Sequence, residues 1–346
     1  MAADRPARVL IVDDSAVARA IIARVIDDSN RFAVAGAVSS VKAALDFLRE
    51  AAVDYILLDI NLPGVDGVTA LPDLLAAGGD AKVLIVSSAA ADGAAQTVQA
   101  LAFGAADTLA KPATGSLSAS FGAALLDKLD RLGERSTKVS SVPPPPVIGS
   151  CGTVDSYDLV AIGASTGGIH ALSRLLRELP VSLTLPILVT QHLPATFMPY
   201  FAAQLALLAV RPCEVASDRL RIRPGRIVVA PGDAHLCVAS LSDGTACVRL
   251  SRVPAASGCM PSVDPMLASV AAAFGRRALG VVLSGMGRDG VDGARVLREA
   301  GGAVVVQDEE SSVVWGMPGA VAGAGLANAM LPPEAIGRLV AERRRS

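Results

Sequence analysis

Two groups of residues in this 346-residue chain have types and spacing suited to chemistry. In the first, apolar runs end in Asp13-Asp14, Asp59, Ser87 and Lys111. Open α/β sheets bind ligands beyond the carboxyl ends of their strands. Three carboxylates gathered there repel one another and need a cation. Oxygen-only donors in that number suit Mg2+, which keeps several waters. A lone Asp after a strand is commonly a helix cap, but polar groups at four strand ends favour a bound charged ligand. In the second group, Gly163-Ala164-Ser165-Thr166-Gly167 follows an apolar run and precedes an amphipathic stretch. It fits G-x-S-x-G, where small neighbours allow a sharp strand-to-helix turn that exposes the serine hydroxyl. The same turn could instead cradle a phosphate at a helix N-terminus.

A nucleophilic serine needs a base, and the chain holds three histidines, His170, His192 and His235. His192 directly follows the run PILVTQ, so it can face Ser165 across the sheet edge. It is favoured over His235, which falls on an expected turn in APGDAHL, and over His170, inside the expected helix. The orienting acid should come from a third strand end. LSGMGRDG places Asp289 in a Gly-rich turn, with Asp292 and Asp264 as rivals, and DGVDG could simply cap a helix. The order Ser, His, Asp differs from the Ser, Asp, His order of α/β-hydrolases. Glycines around Asp289 would let backbone N–H groups point at an oxyanion.

These residues require particular elements to position them. Val9–Val12, Ala33–Val38, Tyr55–Leu58, Lys82–Val86 and Thr108–Ala110 read as strands in the first half. Leu159–Ile162, Pro186–Thr190, Ile227–Ala230, Leu279–Leu283 and Ala303–Val306 do so in the second. Ser15 can cap a helix with Val17, Ile21, Ile22 and Val25 at helical spacing. Gly168–Leu179 carries Ile169, Leu172, Leu175, Leu176 and Leu179 on one face. Strands alternating with helices predict α/β architecture, with two doubly wound parallel-sheet domains. The stretch from Gly133 to Ser156 contains Pro143 to Pro146, which neither a helix nor a central strand accepts. The expected domains are 1–130 and 157–346, joined by a Pro/Ser-rich linker over 131–156.

The motifs VLIVDDS, LLDINLPGVDG, VLIVSS and ADTLAKP resemble a response-regulator receiver domain over about Arg8–Leu126. The resemblance implies a flavodoxin-like fold in which Asp59 accepts a phosphoryl group from a histidine kinase. It also implies that Asp14, Asp59 and the Asn61 backbone carbonyl hold Mg2+, with Asp13 assisting. The Ser87 hydroxyl and Lys111 ammonium would contact the phosphate, and Lys111–Pro112 would be cis. Thr108 occupies the position where many receivers carry an aromatic switch residue.

The motifs GASTGG, QHLP, RPGRIVVAPGDAHL, PSVD, LSGMGRDG and QDEESSVVWGMPGAV together resemble the catalytic domain of the chemotaxis protein-glutamate methylesterases, the CheB family, over about Tyr157–Leu339. The likeness implies a Rossmann-like fold with Ser165 as nucleophile, His192 as general base and then acid, and Asp289 as the residue orienting His192. The backbone N–H groups of Met286 and Thr166 would form the oxyanion hole, with no cofactor in that site. Ser284 stands where Thr is usual before the GMG turn, and Ala234 where a larger residue is common. The implied substrates are γ-glutamyl methyl esters and certain glutamines of methyl-accepting chemotaxis receptors, with a CheA-type histidine kinase as phosphodonor. The receiver would inhibit the esterase until phosphorylated. A paralogue serving a non-motility pathway, or a non-catalytic switch with a vestigial triad, are the alternatives.

Composition excludes other classes. A net charge of −2 gives no electrostatic support to nucleic-acid binding. Hydrophobic residues at 52% suffice for two cores, which excludes wholesale disorder. No run approaches the roughly 18 apolar residues of a spanning helix, so no membrane insertion is expected. The N-terminal MAADRPARVLIVDDS lacks a signal-peptide apolar region, and five cysteines without a C-x-x-C pair fit thiols in a reducing compartment. The expected localisation is cytoplasmic.

Overall fold

The computed structural model describes residues 5–88, 91–111, 119–133 and 157–342; the proline run and the Lys111–Pro112 bond lie outside them. The chain divides into two compact units, residues 1–134 and 135–346.

The first unit alternates β1 (Ala7–Val12), α1 (Ala16–Asp27), β2 (Phe32–Val38), α2 (Val41–Glu50) and β3 (Tyr55–Leu58). It continues with α3 (Gly67–Gly78), β4 (Lys82–Ser88), α4 (Ala91–Phe103), β5 (Asp107–Lys111) and α5 (Ala119–Gly133). Its five strands are all parallel, in the order β2-β1-β3-β4-β5. The chain leaves β1 toward β2 and returns to β3 on the other side, so a ligand crevice opens beyond β1 and β3. Val12 pairs with Leu58, which aligns the next residues, Asp13 and Asp59. Ser15 Oγ caps α1 as expected by accepting the Ala18 N–H, and the structure adds a second cap, Ser40 Oγ accepting the Ala43 N–H at the start of α2. One expectation is corrected here. Val17 is 68% exposed, and α1 buries Ile22 and Ile26 instead, because its apolar stripe begins one turn later.

The second unit runs β6 (Leu159–Ala164), α6 (Gly168–Arg177), β7 (Ile187–Gln191), α7 (Met198–Ala209), β8 (Cys213–Val215), β9 (Ile227–Val229), β10 (His235–Ser240) and β11 (Ala246–Ser251). Then follow α8 (Val263–Phe274), β12 (Ala278–Val282), α9 (Val291–Glu299), β13 (Ala303–Gln307), α10 (Met317–Gly323), β14 (Ala329–Leu331) and α11 (Pro333–Ala341). Seven parallel strands form one sheet, in the order β14-β13-β12-β6-β7-β9-β8. β6 is central, with the chain departing first toward β7 and later returning to β12. Both sheets are therefore doubly wound and parallel, as expected.

The β10–β11 pair is an antiparallel hairpin outside that sheet. It shares a core with α8: Leu236 and Val248 are buried in one cluster with Val263, Met266 and Val270. His235 opens β10 and is 1% exposed, which corrects its expected place on a turn. The turn ends one residue earlier, and strand pairing with Ser251 takes His235 inward.

Candidate active site

Ser165 follows the last residue of β6 and begins the turn into α6. Its N–H donates to the Ser284 carbonyl at 3.0 Å, and its own carbonyl accepts from the Gly168 N–H at 2.8 Å and Gln191 Nε2 at 2.9 Å. The backbone of the turn is thus fixed on both sides while the side chain stays partly exposed. Gly167 takes a left-handed φ of 74°, and a Cβ there would lie 2.5 Å from Val313 Cβ. Gly285 is needed for closeness: its Cβ would fall 2.8 Å from Ser165 Cβ. The two Gly-rich turns therefore meet backbone to side chain, tied by Ser284 Oγ donating to the Thr166 carbonyl at 2.8 Å. The small hydroxyl of Ser284 suffices for that tie. Met286 sits in the same turn, between Gly285 and Gly287.

Strand register brings the histidine alongside. Ala164 pairs with Gln191, and the His192 N–H donates to the Ala164 carbonyl at 3.1 Å, so Ser165 and His192 leave adjacent strands together. His192 Nε2 donates to Asp289 Oδ2 at 2.8 Å. Asp289 is 2% exposed and lies in the turn after β12. Its Oδ2 also accepts the Val263 N–H at 2.7 Å, and its Oδ1 accepts Ser262 Oγ at 2.6 Å and the Asp264 N–H at 3.3 Å. Burial alone would raise the Asp289 pKa, but the bonds from His192, Ser262 and Val263 outweigh it and hold the carboxyl below the usual range. Burial likewise opposes a charged His192, yet Asp289 and the Cys259 thiol push its pKa up to about 9.

Of the rivals, Asp264 accepts the Gly293 N–H at 2.8 Å and reaches Asp289 rather than the histidine. Asp292 is exposed, with Arg295 3.9 Å away. His170 lies on α6, and both ring nitrogens of His235 are taken by backbone groups, the Val253 carbonyl and the Ser262 N–H. Cys259 is the residue that sequence reasoning missed: its thiol, the His192 ring and the Asp289 carboxylate lie within 4.8 Å of one another. Nothing in its spacing announces this, since a loop folding back over the sheet edge delivers it. A cavity of about 490 Å3 opens beside these groups, lined among others by Cys259, Asp264, Met286, Arg288, Asp289 and Arg295.

The first unit carries its own charged cluster. Lys111 Nζ, at the end of β5, lies 2.6 Å from both Asp13 Oδ2 and Asp59 Oδ2. Carboxylate oxygens of Asp13, Asp14 and Asp59 fall within 4.8 Å of one another. Asp59 Oδ1 accepts the Asn61 N–H at 3.1 Å. Burial raises the Asp59 pKa despite the lowering effect of Lys111. Lys111 is raised because its two carboxylates outweigh the cost of burial. One ammonium against three carboxylates leaves negative charge and oxygen donors, which is what Mg2+ requires. Ser87 is 4% exposed, and its hydroxyl meets Thr97 Oγ1 on α4 at 3.1 Å. Thr108 sits in β5, its N–H donating to Asp107 Oδ1 at 2.7 Å.

A family model described as CheB methylesterase matches residues 160–340, just over half of the chain. The chain belongs to the CheB methylesterase family. A response regulator receiver domain model matches residues 9–119, ahead of the CheB part. Protein-glutamate methylesterase/protein-glutamine glutaminase 2 of Caulobacter vibrioides is 41% identical over 345 residues, covering 98% of this chain and 99% of that relative. The protein-glutamate methylesterase/protein-glutamine glutaminase of Azospirillum brasilense is 38% identical over 362 residues, covering 96% of this chain and 91% of its own. The crystal structure of the Thermotoga maritima CheB methylesterase catalytic domain is 34% identical, with a TM-score of 0.52, and covers 54% of this CheB-family chain and 98% of that one. Among the described residues, no helix is long and apolar enough to cross a membrane.

Proposed function

We propose that this chain is a phosphorylation-activated protein-glutamate methylesterase and protein-glutamine glutaminase, acting in the cytoplasm on methyl-accepting chemotaxis receptors. The observation that carries the reading is the His192–Asp289 bond of 2.8 Å, held beside the Ser165 turn by strand register. With Nε2–H committed to Asp289, the other ring nitrogen is the base. It takes the Ser165 proton as Oγ attacks the γ-carbonyl, and returns it to the departing methoxide. Methanol leaves and an acyl-serine remains. Water then attacks the acyl carbon, releasing the glutamate carboxylate and restoring Ser165. With a glutamine the leaving group is ammonia, by the same steps. The backbone N–H groups of Met286 and Thr166 receive the oxyanion.

In the first unit, Asp59 accepts the phosphoryl group from a histidine kinase of the CheA type. Asp13, Asp14, Asp59 and the Asn61 carbonyl would hold Mg2+. When bound, the ion offsets negative charge on the phosphoryl group in transfer. Lys111 pairs with the new phosphate oxygens, and Ser87 leaves Thr97 to reach them, which loosens α4 at its buried anchor.

The experiment is release of methanol and ammonia from receptor-containing membranes. Ser165→Ala should abolish both, because one nucleophile serves both leaving groups. Retention of either at the wild-type rate would overturn the shared site.

A further inference from the structure

We infer that His235 and Ser262 are positioning residues for the triad, acting through Asp289; the inference rests on the esterase reading above. Three of the four donors to Asp289 come from one short turn, Ser262 to Asp264, where α8 begins. A Ser at a helix N-cap ordinarily bonds an N–H of its own first turn. Ser262 occupies the N-cap of α8 and makes no such bond. Its hydroxyl goes to Asp289 Oδ1 at 2.6 Å instead, and the first amides of α8 go to the same carboxylate. Asp289 therefore caps α8 from another element, and the orientation of that turn sets the orientation of Asp289.

The turn is aimed by His235. The Ser262 N–H donates to His235 Nδ1 at 2.9 Å, and His235 Nε2 meets the Val253 carbonyl at 2.9 Å. A backbone N–H only donates and a carbonyl only accepts, so Nδ1 needs a lone pair and Nε2 a proton. One tautomer satisfies both. His235 and Ser262 are 1% and 0% exposed, so water cannot replace either bond cheaply. A line of hydrogen bonds thus runs from the β10–β11 hairpin through Val253, His235, Ser262 and Asp289 to His192. A second hydroxyl steadies it, Ser257 Oγ donating to Ser262 Oγ at 3.2 Å.

The test uses the full chain and two side chains that separate the two bonds of His235. His235→Asn keeps an acceptor at the δ position for the Ser262 N–H; His235→Gln keeps a donor at the ε position for Val253 and loses that acceptor. Methanol release from receptor membranes should show His235→Asn within a few-fold of wild type. His235→Gln and Ser262→Ala should lose about ten-fold in kcat at unchanged KM, as expected for one lost hydrogen bond to a charged group. The downfield proton NMR resonance of His192 Nε2–H should shift or broaden in Ser262→Ala and His235→Gln, and stay in His235→Asn. A merely space-filling role would favour the larger Gln. Equal kcat for Gln and Asn, or Ser262→Ala with wild-type kcat and an unmoved resonance, would overturn the inference. If the histidine variants fail to fold, Ser262→Ala and its resonance decide alone. A wild type that releases no methanol would instead sink the esterase reading, and the resonance comparison would still decide this one.

Discussion

In the proposed mechanism, His192 is the residue whose charge sets the rate. With its pKa pushed up to about 9, the imidazole is protonated near neutrality, and only its deprotonated form can take the Ser165 proton. The kcat/KM of ester hydrolysis should therefore climb from pH 7 and level off above about pH 9. Removing the Asp289 charge removes stabilisation of the imidazolium. Asp289→Asn should move the ascending limb toward the ordinary histidine range while lowering the plateau by about 10^4-fold, less than loss of Ser165. A pH profile with an unmoved limb would contradict that sign. At this scale the strand-end residues were legible: Ser165 and His192 each directly follow an apolar run, and Asp289 sits in the Gly-rich turn after another. Ser262 and Cys259 were not, because their contacts arise when the loop from Val253 to Ser262 folds back over the sheet edge, and no local spacing encodes that return.

The junction of α8 and α9 holds a second carboxylate, Asp264, against Asp289. Burial first, and then the nearby Asp289, raise the Asp264 pKa to about 6, against the bond from the Gly293 N–H. A proton held more tightly by the folded state stabilises it at low pH, and that contribution is lost as pH rises from about 4 through about 6. Asp264→Asn, which keeps an acceptor for Gly293, should then raise the unfolding midpoint at pH 8 and leave it unchanged at pH 4. The gain should be roughly 1–2 kcal/mol, because Asp264 is partly solvated and screening discounts the full effect. An equal shift at both pH values would contradict the linkage. Gly293→Ala should cost about 1–3 kcal/mol in denaturant unfolding, since its Cβ would lie 2.7 Å from the Asp264 carbonyl and 2.8 Å from Leu267 Cβ. The strongly apolar strands β1, β3, β6, β7 and β12 were readable from sequence. β8 and β14, three residues each, were too short to show a period. The β10–β11 hairpin was missed although Asp243-Gly244 stands at its turn, a strong hairpin signal.

At the scale of the whole molecule, two parallel sheets each carry polar groups beyond their carboxyl edges, which the proposed function assigns to a phosphoryl group in the first unit and an ester in the second. The order of a receiver part followed by a CheB part could be read from the motifs. Regulation of the esterase by the receiver came only from the family resemblance, because it depends on populations rather than on any one residue's type. Acetyl phosphate with Mg2+ should accelerate methanol release by the full chain several-fold. Asp59→Asn should remain at the basal rate with or without it; an Asp59→Asn form that still responds would detach activation from this carboxylate. The central claim is that Ser165 attacks the ester with His192 as its base, and acid quenching during turnover tests it most directly. Peptide mass spectrometry after reaction with a γ-glutamyl methyl ester substrate should find an acyl group on Ser165, absent in Ser165→Ala. An acyl group on Cys259, or turnover with Ser165 never modified, would contradict it.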